Sequence, residues 1–282
     1  MSQTRDWDWE IKSQTTWLGV SFKELVSYKD LLFRLVRKEF LASFQQTLLG
    51  PLWVIFQPLL TVLTYVLVFG KLVGLSTEGF PSFLYYLTGI TLWNLFSDLF
   101  LNTSSTFLQN IGIFSKVYFP RLIAPLSVLL LYVLRFGIQL CFLLIVYAVF
   151  CFNGQVHFDF LRMLMIFPVI IIVSGIAFGS GLIFSILSTK YKDLLSLMQL
   201  LIRLLMFVCP IFYSLSMVPQ KLKLFVYINP LSSQFEFFRF AFLGKGQVEA
   251  MPFIYSVFCM LLFVGGGILL FNKMGDKLMD VA

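Results

Sequence analysis

The chain has 282 residues and a net charge of +7, with 59% hydrophobic and 12% charged residues and a mean hydropathy of +0.89. A soluble domain carries about 25% charged residues, so this composition excludes an ordinary water-soluble globule. The basic excess reads as membrane-facing, not as a nucleic-acid footprint.

Charge-free runs cover residues 40–70, 79–97, 99–115, 136–158, 163–189, 204–220 and 250–272. A helix crossing a hydrocarbon core about 30 Å thick needs about 20 apolar residues. The runs are continuous and lack the alternation of a transmembrane barrel strand. The expected fold class is therefore an all-α integral membrane protein.

Residues 1–28 form a polar N-terminal segment with Trp7, Trp9 and Trp17 and no apolar run of the cleaved-signal type. Residues 29–45 follow as an amphipathic helix. Leu31, Leu32, Leu35, Val36 and Phe40 make an apolar stripe interrupted by Glu39, and Arg34, Arg37 and Lys38 lie mostly off it. Such a helix suits the membrane interface. Residues 46–282 are expected to form a six-helix transmembrane domain.

Its spans are expected at residues 52–69, 81–107, 122–150, 163–188, 194–213 and 251–271. Pro51 enters the first at the turn where a missing N–H costs nothing, and Pro58 predicts a kink within it. The connections are a short turn at 70–80, a charged segment at 110–120, a loop holding His157 and Asp159, and the tight turn at 189–193. A longer stretch of mixed polarity occupies 214–249.

With six spans and a cytoplasmic N-terminus, residues 1–45 share one side with Lys116, Arg121, Lys190, Lys192, Lys273 and Lys277. Lys71, Arg162, Lys221, Lys223, Arg239 and Lys245 fall on the other. The first side holds the larger share, which supports cytoplasmic N- and C-termini.

Chemistry-bearing motifs are sparse. There is no G-x-x-x-x-G-K-[ST] run: Gly70-Lys71 has no upstream glycine, and Gly244-Lys245 is followed by Gly246. The chain is not expected to bind ATP itself, and no cofactor is expected in it. His157 is the only histidine, and Cys141, Cys151, Cys209 and Cys259 are scattered, so no metal site is expected. Asp98 reads as an interfacial carboxylate.

Arg135 and Arg203 fall inside spans, where an arginine costs roughly 2.5–3.5 kcal/mol at mid-membrane on insertion scales. Tyr132 and Gln139 share a stripe with Arg135, and Ser196 and Gln199 share one with Arg203. Two readings stay open for these arginines: pairing within the bundle or snorkelling to the interface, or contact with an anionic substrate. Gly175 and Gly179 form G-x-x-x-G, and Gly265-Gly266-Gly267 interrupts the last span; both suit close helix packing within the chain.

Several segments occur here in a familiar order: YKDLLFRLVRKEF (28–40), QTLLGPLWVIFQP (46–58), LTGITLWNLF (87–96), FSKVYFPRLIAP (114–125) and Asn229-Pro230-Leu231. Together they resemble the membrane subunit of type-2 ABC exporters of cell-surface polysaccharides, the O-antigen and teichoic acid export permeases. The resemblance covers about residues 28–272.

It implies a permease that moves a polyprenyl-diphosphate-linked polysaccharide across the bacterial cytoplasmic (inner) membrane. The partners implied are a second copy of the chain and two cytoplasmic ABC ATPase subunits, which would carry the ATP and Mg. Residues 110–120 would be the coupling helix, with Ser115, Lys116, Val117 and Tyr118 at the ATPase. Residues 214–249 would re-enter the outer leaflet as short helices.

The channel would run between subunits along the first and fifth spans. There Trp53, Phe56, Tyr65, Phe207, Phe212 and Tyr213 are the aromatic candidates for loose contact with sugar. Arg34, Arg37 and Lys38 would recruit the lipid diphosphate at the interface. The alternatives are a type-2 ABC permease for a small amphiphile and a membrane enzyme acting on polyprenyl phosphate. The enzyme reading lacks an acidic cluster for Mg²⁺.

Overall fold

The computed structural model describes residues 22–114, 119–191, 193–246 and 248–279. Among them the regular elements are all helical: α1 (Phe22–Ser27), α2 (Lys29–Ala42), α3 (Trp53–Tyr65), α4 (Ser82–Phe114), α5 (Ile123–Phe152), α6 (Phe160–Met163), α7 (Ile166–Lys190), α8 (Leu194–Val208), α9 (Gln220–Ile228), α10 (Pro230–Leu243) and α11 (Ala250–Met279). A 3-10 turn (Gly50–Leu52) leads into α3, a π-helical stretch (Val66–Leu72) prolongs it, and a second 3-10 turn (Leu215–Met217) precedes α9.

The amphipathic stripe of α2 behaves as its sequence requires. Val36 is buried and Leu31, Leu32 and Leu35 pack on the core, while Arg34, Arg37 and Lys38 are exposed. The helix lies against α5.

Pro58 sits inside α3. It has no N–H for the carbonyl of Val54, one turn back. Gln139 Nε2 of α5 donates to that carbonyl at 3.3 Å. The proline thus ties α3 to α5 through the bond it leaves open.

Among the described residues four helical segments are long and apolar enough to cross a membrane: 50–72, 123–152, 160–190 and 250–273. The second and fifth expected spans differ, each for its own reason. At 33 residues, α4 is about 50 Å long, more than a hydrocarbon core requires. It is also polar, burying Thr88, Thr91, Ser97, Thr103, Ser104 and Thr106. These groups are tolerable because α4 is packed between α5 and α7. Ser188 Oγ of α7 donates to the carbonyl of Ser104 at 2.9 Å, and Ser185 Oγ accepts from the N–H of Phe107 at 3.1 Å. At 15 residues, α8 is about 22 Å long and ends where Cys209-Pro210 turns the chain away. The stretch 214–249 forms the two short helices α9 and α10, of 9 and 14 residues, too short to cross a bilayer core at about 1.5 Å per residue. Almost every side chain of α10 is buried, and it packs against α4, α7 and α11.

Both glycine motifs act within the chain. A Cβ on Gly179 would strike the backbone of Phe263 and Val264 in α11, and one on Gly267 would lie 2.5 Å from the carbonyl oxygen of Gly179. A Cβ on Gly181 would crowd the side chain of Thr103 in α4. Gly265, by contrast, has open space where its Cβ would be. Gly179→Ala is therefore expected to destabilise the fold by about 1–3 kcal/mol through overpacking. Gly265→Ala is expected to be near neutral. Size-exclusion chromatography of the detergent-solubilised chain after a heating series checks both.

Candidate functional site

The aromatic residues of the first and fifth expected spans fall into two groups. Trp53 and Phe56 stand one turn apart on α3, with ring centroids 5.8 Å apart and each 39% exposed. At the other end of that helix, Tyr65 meets Phe212 at 4.8 Å and Phe69 at 5.7 Å, edge to face. Phe212 also meets Phe69 at 4.5 Å and Phe207 at 5.7 Å. One aromatic cluster thus joins the end of α3 to the turn after α8. Phe212 is its buried centre, 3% exposed, and Phe207 its outer edge, 60% exposed.

Tyr213 acts instead as a cap, its hydroxyl donating to the carbonyl of Val208 at 2.7 Å. That carbonyl needs a partner because the chain leaves the helix at Cys209. Phe69 is a cluster member that the sequence reading missed, although its spacing of four from Tyr65 was the available signal.

Polar side chains share the exposed face of both helices. On α8, Ser196, Gln199 and Arg203 are exposed one turn apart, while Met198 and Ile202 face inward. On α3, Gln57 and Thr64 are exposed. An arginine on a helix with an otherwise apolar outer face is costly against lipid, so this face of α8 suits water or protein better than hydrocarbon. Arg34, Arg37 and Lys38 are exposed on α2. Ser115, Lys116, Val117 and Tyr118 lie outside the described residues.

Arg135 lines a polar cavity of about 370 Å³ between the start of α3 and the middle of α4 and α5. Its Nη2 donates to Ser43 Oγ at 2.6 Å, and its guanidinium lies 5.0 Å from the ring centre of Tyr132 and 5.6 Å from that of Phe44. Asp98 and Asn94 of α4, Gln139 of α5 and Gln57 of α3 complete the polar wall, and Trp53 adds an aromatic one. Asp98, read from sequence as an interfacial carboxylate, shares this cavity with the arginine. Arg135 and Arg203 are not brought together: the first faces inward, the second outward.

Two further charged groupings were not foreseen. Within α10, Arg239 Nη1 bonds Glu236 Oε1 at 2.7 Å, with both side chains at 2% exposure or less. Arg239 Nη2 also donates to the carbonyl of Pro210, and its guanidinium lies 4.2 Å from the ring centre of Tyr85. The pair therefore holds α10, the turn after α8 and α4 together. Its sequence signal was an acid and a base three apart inside the apolar run FEFFRF.

The other grouping lines a cavity of about 340 Å³ near α6, with Glu78, His157, Arg162 and Lys245 in its wall. There the side chain of Arg162 and the N–H groups of Arg162 and Leu161 donate to Asp159 and hold its carboxyl below the usual carboxylate range. An apolar cavity of about 440 Å³ opens between α4, α7 and α8, walled by Phe96, Phe100, Phe184, Met198 and Leu205. Among the described residues no group of three or more His, Cys, Asp or Glu could hold a metal ion.

The family model of the ABC-2 type transporter matches residues 30–243, from the interface helix through α10. The chain belongs to the ABC-2 type transporter family. Two O-antigen export system permease proteins RfbA of Klebsiella pneumoniae are each 29% identical to this transporter chain over 254 residues, covering 89% of it and 95% of the relative. The O-antigen export system permease protein RfbA of Myxococcus xanthus is 26% identical over 252 residues, covering 87% of it and 94% of the relative.

In this transporter chain the buried pair of α10 generates a direct expectation. Arg239→Ala removes the guanidinium that balances the Glu236 carboxylate in a dry environment. Removing one partner of a buried pair costs about 3–5 kcal/mol. The variant is expected to yield little folded protein, measured as monodisperse material after membrane extraction. The double variant Glu236→Gln, Arg239→Met, which leaves no buried charge, is expected to recover most of it.

Proposed function

We propose that the chain is the transmembrane subunit of an ATP-driven exporter that moves a polyprenyl-diphosphate-linked, O-antigen-like polysaccharide across the bacterial cytoplasmic membrane. The names of its relatives support that substrate. The observation within the chain that carries the reading is the exposed polar stripe Ser196, Gln199 and Arg203 on α8. A second copy of the chain facing α8 and α3 would give that stripe an aqueous path in place of lipid.

In this reading α4 and α8 complete a set of six spans, shielded by the bundle and by the partner copy. The N- and C-termini are cytoplasmic, and α9 and α10 enter the outer leaflet from the far side. Two ATPase subunits dock at residues 110–120, where Ser115, Lys116, Val117 and Tyr118 form the contact. ATP and Mg stay on those subunits.

Arg34, Arg37 and Lys38, on the exposed face of α2, attract the diphosphate head group by about 1 kcal/mol per charge. Trp53 and Phe56, with the edge of the Tyr65, Phe207 and Phe212 cluster, offer flat faces to a polymer that must slide through many registers. Fixed hydrogen bonds at every register would trap it. Tyr213 caps Val208 and shapes the end of α8 rather than offering its hydroxyl to the polymer.

A second reading, a type-2 ABC permease for a small amphiphile, is favoured by one feature, the apolar cavity between α4, α7 and α8.

The deciding experiment is surface polysaccharide display in a strain lacking this chain, with the chain and its ATPase supplied singly and together. Display restored only by both supports polysaccharide export. Unchanged display, with ATP hydrolysis stimulated by a lipid or drug instead, supports the amphiphile reading. Cysteines placed at Ser115 or Val117 are expected to cross-link to the ATPase; labelling of those positions only from outside the cell would reverse the topology.

Single alanine variants separate channel from core. Trp53→Ala is expected to lower export several-fold while the assembled complex keeps its yield. Phe212→Ala is expected to cost about 3–5 kcal/mol, as in soluble cores, and to lower the yield itself.

A further inference from the structure

We propose that the cavity between α3, α4 and α5 is a saccharide site that receives one sugar residue of the exported chain, a proposal that rests on the polysaccharide reading above. Its volume of about 370 Å³ falls in the range of small-ligand pockets.

Its wall mixes hydrogen-bonding types. Arg135 is donor only and Asp98, ionised, is acceptor only. Gln57, Asn94 and Gln139 each offer both a donor and an acceptor. Trp53 belongs both to the exposed face of α3 and to the cavity wall, so the site borders the face assigned to the channel.

Two buried atoms in this wall have no partner among the described residues: Arg135 Nε, a donor, and Gln139 Oε1, an acceptor. Leaving both unmade is costly in a dry environment. A sugar hydroxyl satisfies both kinds, because it accepts from one group and donates to another. A phosphate oxygen accepts only. It would answer Arg135 Nε, leave Gln139 Oε1 unmet and face the carboxylate of Asp98, a like charge. The chemistry of the wall therefore favours a neutral, hydroxyl-rich ring over the diphosphate of the lipid carrier. Asp98 and Arg135 balance one another in charge, which makes this polar wall tolerable at membrane depth.

The test is saturation-transfer NMR on the full chain in lipid nanodiscs. The probes are free glucose, galactose, mannose, rhamnose, N-acetylglucosamine and N-acetylgalactosamine, with inorganic diphosphate as competitor. At least one sugar is expected to give saturable transfer. Its affinity is expected to fall about fivefold in each of Asp98→Asn and Gln139→Leu, the worth of about one hydrogen bond, with the elution profile unchanged. Gln57→Ala, at an exposed side chain of the same wall, is expected to weaken binding likewise and keeps the test decisive if a buried variant fails to fold.

No transfer from any of the six sugars, as for a cavity holding water only, overturns the proposal. So does transfer that survives all the folded variants, or transfer abolished by diphosphate. Failed sugar binding beside restored surface display rejects the cavity and leaves polysaccharide export standing. Sugar binding at the cavity without restored display rejects export and leaves the cavity.

Discussion

The α7 helix stands at the centre of the bundle because it carries almost no side chain where its neighbours come closest. Gly179 lets the backbone of α11 reach it, and Gly181 admits Thr103 of α4. In lipid, helix association gains little from apolar burial alone, since lipid tails are equally apolar; close van der Waals packing has to supply it. A Cβ at Gly179 would separate α7 from α11. The pocket between α4, α7 and α11 into which α10 fits depends on the same approach.

Close packing around α7 also makes the polar character of α4 tolerable. Its threonines and serines would be poor company for lipid. Shielded by α5 and α7, Thr88, Ser104 and Thr106 donate to carbonyls one turn back in α4 itself, and Ser188 of α7 donates across to the carbonyl of Ser104. The same rule of internal satisfaction explains Gln139 beneath Pro58, Tyr213 beneath Val208, and Arg239 beneath Pro210. In each case the chain breaks a helical ladder, and a side chain from elsewhere takes up the exposed carbonyl.

Groups that folding leaves unsatisfied are the ones a substrate can use. The α8 stripe of Ser196, Gln199 and Arg203 points outward, and the cavity around Arg135 and Gln139 keeps a donor and an acceptor unmet. The cavity borders α3, whose outer face carries Trp53, Phe56 and Gln57.

Residue type and spacing were enough to establish the all-helical membrane class, the amphipathic helix before the first span, the apolar helices α3, α5, α7 and α11, and the family. Each of these is a property of one stretch of chain: a continuous apolar run, a stripe at helical period, an ordered set of segments. Packing between distant elements settled the rest. It made Phe212 a cluster centre and Phe207 its edge, placed Asp98 in one cavity with Arg135, and buried an ion pair in α10. It also settled how α4 can be long and polar inside the bundle. Hydropathy records what a residue would prefer, but whether its neighbour is lipid, a glycine gap or a distant carbonyl depends on elements far away in the chain. The acid and base three apart in α10 were legible as a pair; that Pro210 and Tyr85 would close around them was not.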